Sequence, residues 1–157
     1  MDRQKPSELL SDLLTSQHFA VIATESKKQP YTNLVSFVCS SDFHHLFFPT
    51  KQNTQKFLNI TKNNHIAILI DNRENTPSDL SKAITITAIG QAKVLKQHRD
   101  VIVKLLLQKH PDLSTFLNDP SCVIIDVSVK TYQIVQQFEH IQIIKMADRK
   151  KDSSQSN

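Results

Sequence analysis

Glycine is nearly missing from this chain: Gly90 is the single example in 157 residues. A Gly-x-Gly-x-x-Gly dinucleotide fingerprint and a Gly-x-x-x-x-Gly-Lys phosphate loop are both excluded. A nucleotide-like ligand must then be held by side chains and by the ends of helices or strands. Tryptophan is absent and aromatic residues make up 6% of the chain, which argues against a surface that stacks unpaired bases. The two cysteines, Cys39 and Cys122, lie in apolar runs with no Cys-x-x-Cys pair and no zinc spacing. They read as buried free thiols of a reducing compartment. No apolar run approaches the ~20 residues that cross a bilayer. The polar start, Met1-Asp2-Arg3-Gln4-Lys5-Pro6, has no signal-peptide core. A cytoplasmic protein is expected, with no membrane and no nucleic acid as partner.

What is present fits one globular domain: 39% hydrophobic and 22% charged residues, enough for a real core. The net charge is +4 with a pI near 9.1, and much of the excess falls in Lys145–Lys151. Residues 1–145 read as the domain and 146–157 as a polar, frayed tail.

Along the chain, Pro6 to about Ser16 predicts a short helix capped at Ser7, with Leu9, Leu10, Leu13 and Leu14 on one face. Strands are expected at His18–Thr24, Thr32–Ser40, Phe43–Phe48, His65–Asp71 and Ala83–Leu95, where Gly90 marks a bulge or bend. Two more are expected at Ser121–Val129 and Thr131–Phe138, joined by a tight turn, with a short one at Ile141–Ile144. Gln97–His110 reads as an amphipathic helix ended by Pro111. This pattern implies a closed antiparallel barrel with peripheral helices. Several strands are apolar on both faces, so the outer one needs a helix or a second subunit as cover.

One stretch concentrates polar chemistry. Phe47-Phe48-Pro49-Thr50-Lys51-Gln52-Asn53-Thr54-Gln55-Lys56 carries a strand through a polar loop into a helix, Phe57–Lys62, with Asn53 or Thr54 as N-cap. Hydroxyls, amides and two lysines collect where a helix exposes unpaired N–H groups, the makings of an anion site. A capped surface helix with solubilising lysines has the same composition. Other candidates are thinner. His44 and His45 are adjacent on a strand, so they point to opposite faces and make poor joint metal ligands; exposure beside Asp42 is the simpler reading. His65 and His140 are isolated, and His98 and His110 bracket a helix. Tyr31 and Tyr132 read as packing residues. No Ser-His-Asp set or paired carboxylates stand out.

With this strand order in place, the chain resembles the FMN-binding split-barrel family that includes pyridoxamine 5′-phosphate oxidase. The likeness runs from about Leu9 to Phe138, through "HFAVIAT", "NLVSF", "LFFPTKQNTQK", "NNHIAILI", "ITITAIGQAKVL", "KHPD" and "CVIIDVSV". It implies a six- to seven-stranded antiparallel split β-barrel with peripheral helices. It also implies a homodimer with FMN in clefts at the subunit interface. The phosphate segment would be Thr54-Gln55-Lys56, with Thr50 on the approach and Lys51 as a further charge. Asn33, Leu34, Val35 and Ser36 would run along the isoalloxazine, and Thr85 takes a position that often carries glutamine. This chain departs from the oxidase in three places. Gln55 stands for an arginine, the second strand lacks a basic residue, and Ile141–Met146 stands where an Arg-x-His-type motif belongs. Oxidation of pyridoxamine phosphate is therefore not expected. The reading is a flavin-dependent oxidoreductase of unknown substrate and electron donor, with a non-catalytic flavin- or haem-binding module on the same fold as the alternative.

Overall fold

The structure, a computed structural model, describes residues 4–147. Most of the expected tail, 148–157, lies outside the described residues. Five helices and eight strands follow the chain: α1 Pro6–Ser16, β1 Phe19–Ser26, β2 Gln29–Ser36, β3 Val38–Cys39, β4 His45–Lys51, α2 Gln55–Lys62, β5 His65–Asp71, α3 Asp79–Lys82, β6 Ile84–Val94, α4 Arg99–Lys109, α5 Ser114–Asn118, β7 Cys122–Gln136 and β8 His140–Lys145. Among the described residues no helix is long and apolar enough to cross a membrane.

The strands form one antiparallel sheet in the order β2-β1-β5-β6-β7-β4-β3, with β8 beside β7. Its two ends, β2 and β3, are separated in sequence by Phe37 alone. The sheet therefore curls until its edges are the two halves of one bent strand, the split barrel that was expected. Counting the two-residue β3 separately gives eight strands where six or seven were anticipated. Alternation puts Ala20, Ile22, Leu46, Phe48, Ile66, Ile68, Ile70, Ile86, Ala88, Val127, Tyr132 and Ile134 inside, where α1 adds Leu9, Leu10, Leu13 and Leu14. Burial of these side chains contributes roughly 1.5–3 kcal/mol each. A second apolar cluster lies outside the barrel. Val38, Phe47, Cys122 and Ile124 pack there against Ile102 and Leu106 of α4 and Leu117 of α5.

Three local differences from expectation have physical causes. The polar turn that the sequence places at Glu25–Pro30 is tighter than that span. β1 and β2 run on to pair Ser26 with Gln29, and Lys27 and Lys28 turn the hairpin at φ 50° and 65°, a geometry usually marked by Asn or Gly. The tight turn expected between Val129 and Thr131 is absent. β7 is one strand of 15 residues, and opposite Ile89/Gly90 its register with β6 shifts, leaving Lys130 as the extra residue of a bulge. At the first helix the N-cap is Lys5, with Pro6 at the first helical position; Ser7 sits inside.

Candidate functional site

β4 delivers the polar turn. Its alternation sends Leu46 and Phe48 into the barrel, and Thr50 follows them and is buried. The Thr50 hydroxyl lies 3.2 Å from that of Thr54. Of the two expected N-caps, Asn53 and Thr54, it is Thr54 that caps α2. Its Oγ1 accepts from Phe57 N–H at 3.4 Å and donates to the Lys51 carbonyl at 2.9 Å. Gln55 donates to Asn59 Oδ1 at 2.7 Å, and Asn59 donates to the buried Thr24 hydroxyl at 3.0 Å. α2 is thus keyed to β1 by a buried polar chain. The N–H groups of Gln55 and Lys56 have no acceptor among the described residues, the usual condition of a helix's first turn.

The two lysines of this turn have opposite fates. Lys51 lies on the outward side of β4. Its ammonium sits 3.0 Å from the Asp119 carboxylate and 5.5 Å from the centre of the Phe116 ring. It is committed to α5 and is removed from the anion cluster expected of it. Lys56 is half-buried and has no ion-pair or hydrogen-bond partner among the described residues. Burial alone pushes its pKa down. An ammonium that is partly desolvated and unpaired gains most from a counter-anion, and its residue belongs to the first turn of α2, where the N–H groups of Gln55 and Lys56 have no acceptor among the described residues.

The remaining expected site residues lie elsewhere in the protomer. β2 pairs with β1 along one edge, and no described strand bonds its other edge. Gln29 to Leu34 are exposed, Val35 is buried and Ser36 is intermediate, so Asn33 and Leu34 sit on an open edge strand. Thr85 pairs with Asp71 and Val135, whereas Thr50 pairs with Val123. Positions 123 and 135 share β7, and at about 3.3 Å per residue they lie about 40 Å apart along it. Within one protomer, then, Thr50 and Thr54 are joined by their hydroxyls and Gln55 and Lys56 follow in the first turn of α2, while Thr85 and Asn33–Ser36 sit on other strands.

One feature was missed from sequence. A groove of about 430 Å³ opens between Leu34–Ser36 of β2 and His110–Leu113 after α4. His110 is buried, with Nε2 3.0 Å from the Phe37 carbonyl oxygen. Burial pushes its pKa down, with lesser contributions from the charges of Lys109 and His18, against the opposing effect of the Phe37 bond. The signal was there in "KHPD": a histidine closing a helix just before proline is held by both elements.

The histidine pair also differs from expectation. Neither ring is simply exposed. His44 reaches the carbonyls of Asp42 at 3.1 Å and Ala147 at 3.2 Å. His45 Nδ1 lies 2.7 Å from the buried Asp126 carboxylate, a partner 81 residues away in sequence. Among the described residues no group of three or more His, Cys, Asp or Glu side chains could hold a metal. Tyr132 is core, as expected, and donates to the Phe43 carbonyl at 2.6 Å.

Comparison with known proteins follows this geometry. The family model for pyridoxamine 5′-phosphate oxidase matches residues 7–132. A haem-binding protein from Mycobacterium smegmatis aligns with a TM-score of 0.80 at 12% identity, over 92% of this chain and 60% of that one. Campylobacter jejuni ChuZ aligns with a TM-score of 0.77 at 16% identity, over 91% and 61%. A FAD-binding protein from Mesorhizobium loti aligns with a TM-score of 0.64 at 17% identity, over 84% and 95%. The chain thus spans about three-fifths of the first two structures, and at such identities the likeness establishes the fold alone. No curated protein sequence matches the chain.

Proposed function

Because the chain belongs to the pyridoxamine 5′-phosphate oxidase family, we propose that it binds FMN as a homodimer and serves as a flavin-dependent oxidoreductase. The observation that carries this reading is Lys56, a half-buried ammonium without a partner among the described residues, in the helix turn that carries the free N–H groups of Gln55 and Lys56. A cation and free N–H groups on one helix turn suit the dianionic phosphate of FMN, with Thr50 and Thr54 holding the shape of the turn that presents them. FMN, once bound, supplies the electron-transfer chemistry; the protein supplies binding, orientation and exclusion of water.

Dimerisation is supported by the outer face of the sheet. One cross-strand row reads Leu34, Val21, Leu69, Thr87, Gln133 and Ile143, without a charge. Leu34 and Ile143 are 67% and 62% exposed, and Phe19, Ile89 and Ile141 on the same side are also open. An antiparallel sheet that meets water normally carries polar residues there, so this face fits a second copy. In such a dimer Thr85 would reach the cofactor from the partner, which accounts for its distance from Lys56 within a protomer. The free edge of β2 at Asn33–Ser36 would lie along the ring.

The second reading, a non-catalytic flavin- or haem-binding module, has its own support: Gln55 leaves the phosphate turn with one lysine, and a haem-binding protein shares the fold. Titration with FMN, followed by its absorption spectrum, tests both. Saturable binding that weakens in Lys56→Ala is expected. Unchanged affinity in that variant would remove Lys56 from the site. Reduction of bound FMN by NADH or NADPH, with turnover on an acceptor, separates enzyme from carrier.

A further inference from the structure

We propose that the groove between β2 and the loop after α4 binds an uncharged, flat molecule that donates a hydrogen bond to Nδ1 of His110, and that this is the substrate pocket of the flavin site. The second half of that statement rests on the flavin reading above. The first stands on the groove itself.

His110 is 8% exposed. Its Nε2 faces the Phe37 carbonyl at 3.0 Å, and a carbonyl oxygen only accepts, so Nε2 carries the proton. Burial disfavours the imidazolium, which leaves Nδ1 with a lone pair. Nδ1 makes no hydrogen bond among the described residues, yet among them no buried side-chain nitrogen or oxygen lacks a partner. Nδ1 is therefore not enclosed; it opens to the groove that His110 lines. A deeply seated acceptor with no protein donor asks for a donor from outside.

The surroundings set the ligand's other properties. Phe19 and Leu34 on one side and Pro111 and Leu113 on the other supply apolar walls. The His18 ring stands edge-on to His110 at 5.7 Å between centroids, and Phe19 tilts toward it at 6.1 Å. The volume suits a single ring system. The nearest cation is already engaged. Lys109 donates to the Leu14 carbonyl at 3.1 Å and sits 4.0 Å over the Phe37 ring. Asp112, also on the lining, is anionic. A phosphate or carboxylate placed here would meet a lone pair and a carboxylate, and burying it would be costly. A phenol-like hydroxyl or a ring N–H is matched. Leu34, Val35 and Ser36 belong both to this groove and to the strand proposed to run along the flavin ring, so a molecule held by His110 would lie beside that ring.

The test uses phenol as probe and ¹⁵N NMR of the histidine rings, on the protein without flavin and after FMN addition. Saturable phenol binding is expected to move the His110 Nδ1 resonance upfield, while phenyl phosphate leaves it in place. His110→Gln keeps an N–H donor for the Phe37 carbonyl and is expected to bind phenol about tenfold more weakly. Asp112→Trp, at an exposed position of the lining outside the proposed dimer face, is expected to fill the groove and block phenol without altering His110. No shift with phenol, or an equal shift with phenyl phosphate, overturns the proposal; so does full phenol affinity in His110→Gln and Asp112→Trp alike. Phenol binding at His110 without FMN uptake keeps the groove and removes the flavin; FMN uptake without the His110 shift does the reverse.

Discussion

Behind β4 and the first half of β7 the outer side of the sheet is covered by the chain's own α4 and α5, whereas no helix of the second cluster reaches the outer side of β2, β1, β5, β6 and the second half of β7. Both faces are apolar. In the covered one Ile124 is 1% exposed, and in the open one Ile143 is 62% exposed. Both are edged by charges that find partners within the protomer, Lys51 with Asp119 and Asp126 with His45 on the covered side and Asp71 with Arg73 on the open one, while the Leu34-to-Ile143 row itself carries none. One sheet thus prepares the same kind of surface twice and supplies a lid only once. The open row is the surface on which the second copy proposed above would sit.

The harshest way to break this contrast is at the boundary between the halves. Gly90 sits at the bulge where β6 passes from one to the other, and a Cβ placed on it would lie 2.1 Å from the Ser128 carbonyl oxygen. Backbone cannot yield there without parting β6 from β7. Gly90→Ala is expected to destabilise the fold by about 3 kcal/mol or more, read from the urea midpoint. An unchanged midpoint would mean that the bend between the halves does not depend on this close approach.

Next in size is a charge placed on each face. Ile124→Lys buries an ammonium under α4 and α5 and is expected to unfold the protein. Ile143→Lys replaces a mostly exposed side chain on β8 and is expected to leave the protomer's stability within about 0.5 kcal/mol while converting a dimer to monomers, because burial of an unpaired charge opposes association. Light scattering at matched concentrations decides. If Ile143→Lys remains dimeric, the open face is not the interface.

The same contrast explains what the sequence could show. Strand positions were legible because alternation is local: β5 appears at the expected His65–Asp71, and Thr54 caps α2 as its chemistry suggested. The Gly90 bulge was legible because the residue is so rare here. The exact residues of the turn within Glu25–Pro30 were not, since neither Lys27 nor Lys28 announces a positive φ. Nor was the continuity of β7, whose Lys130 bulge imitates a turn. In the site the limit is pairing across space. Lys51 and Lys56 are alike in composition and differ only because Asp119, far along the chain, arrives beside one of them. His110 was named from sequence but its burial was not, because Phe37 and α4 meet only in the fold.

That difference between the lysines gives the next, smaller effect. Lys56→Ala removes a charge-assisted bond worth about 1.5–3 kcal/mol, so FMN affinity is expected to fall about 10- to 100-fold. Lys51→Ala, on the covered side, is expected to leave it unchanged. Equal losses in both variants would place the phosphate between them and undo the separation drawn from the Asp119 pair.

The smallest expected effect concerns how α5 is fastened over the covered face, and it is one of pH. The Asp119 carboxyl is held at about 2 against an ordinary 3.8, first by the Ser121 hydroxyl and the Ser121 N–H, then by Lys51. The Ser121 contacts are 2.6 and 2.8 Å. A folded-state value below the unfolded one means that the unfolded chain binds the proton more readily, so the contribution to stability is complete above pH 3.8 and is lost as pH falls toward 2. Asp119→Asn cannot ionise. Its melting temperature, set against that of the parent protein between pH 5 and 2, is expected to lie lower at the top of this range and to converge with it at the bottom. Parallel curves would show that the carboxylate does not fasten the lid, and Lys51 would then lose the partner that distinguishes it from Lys56.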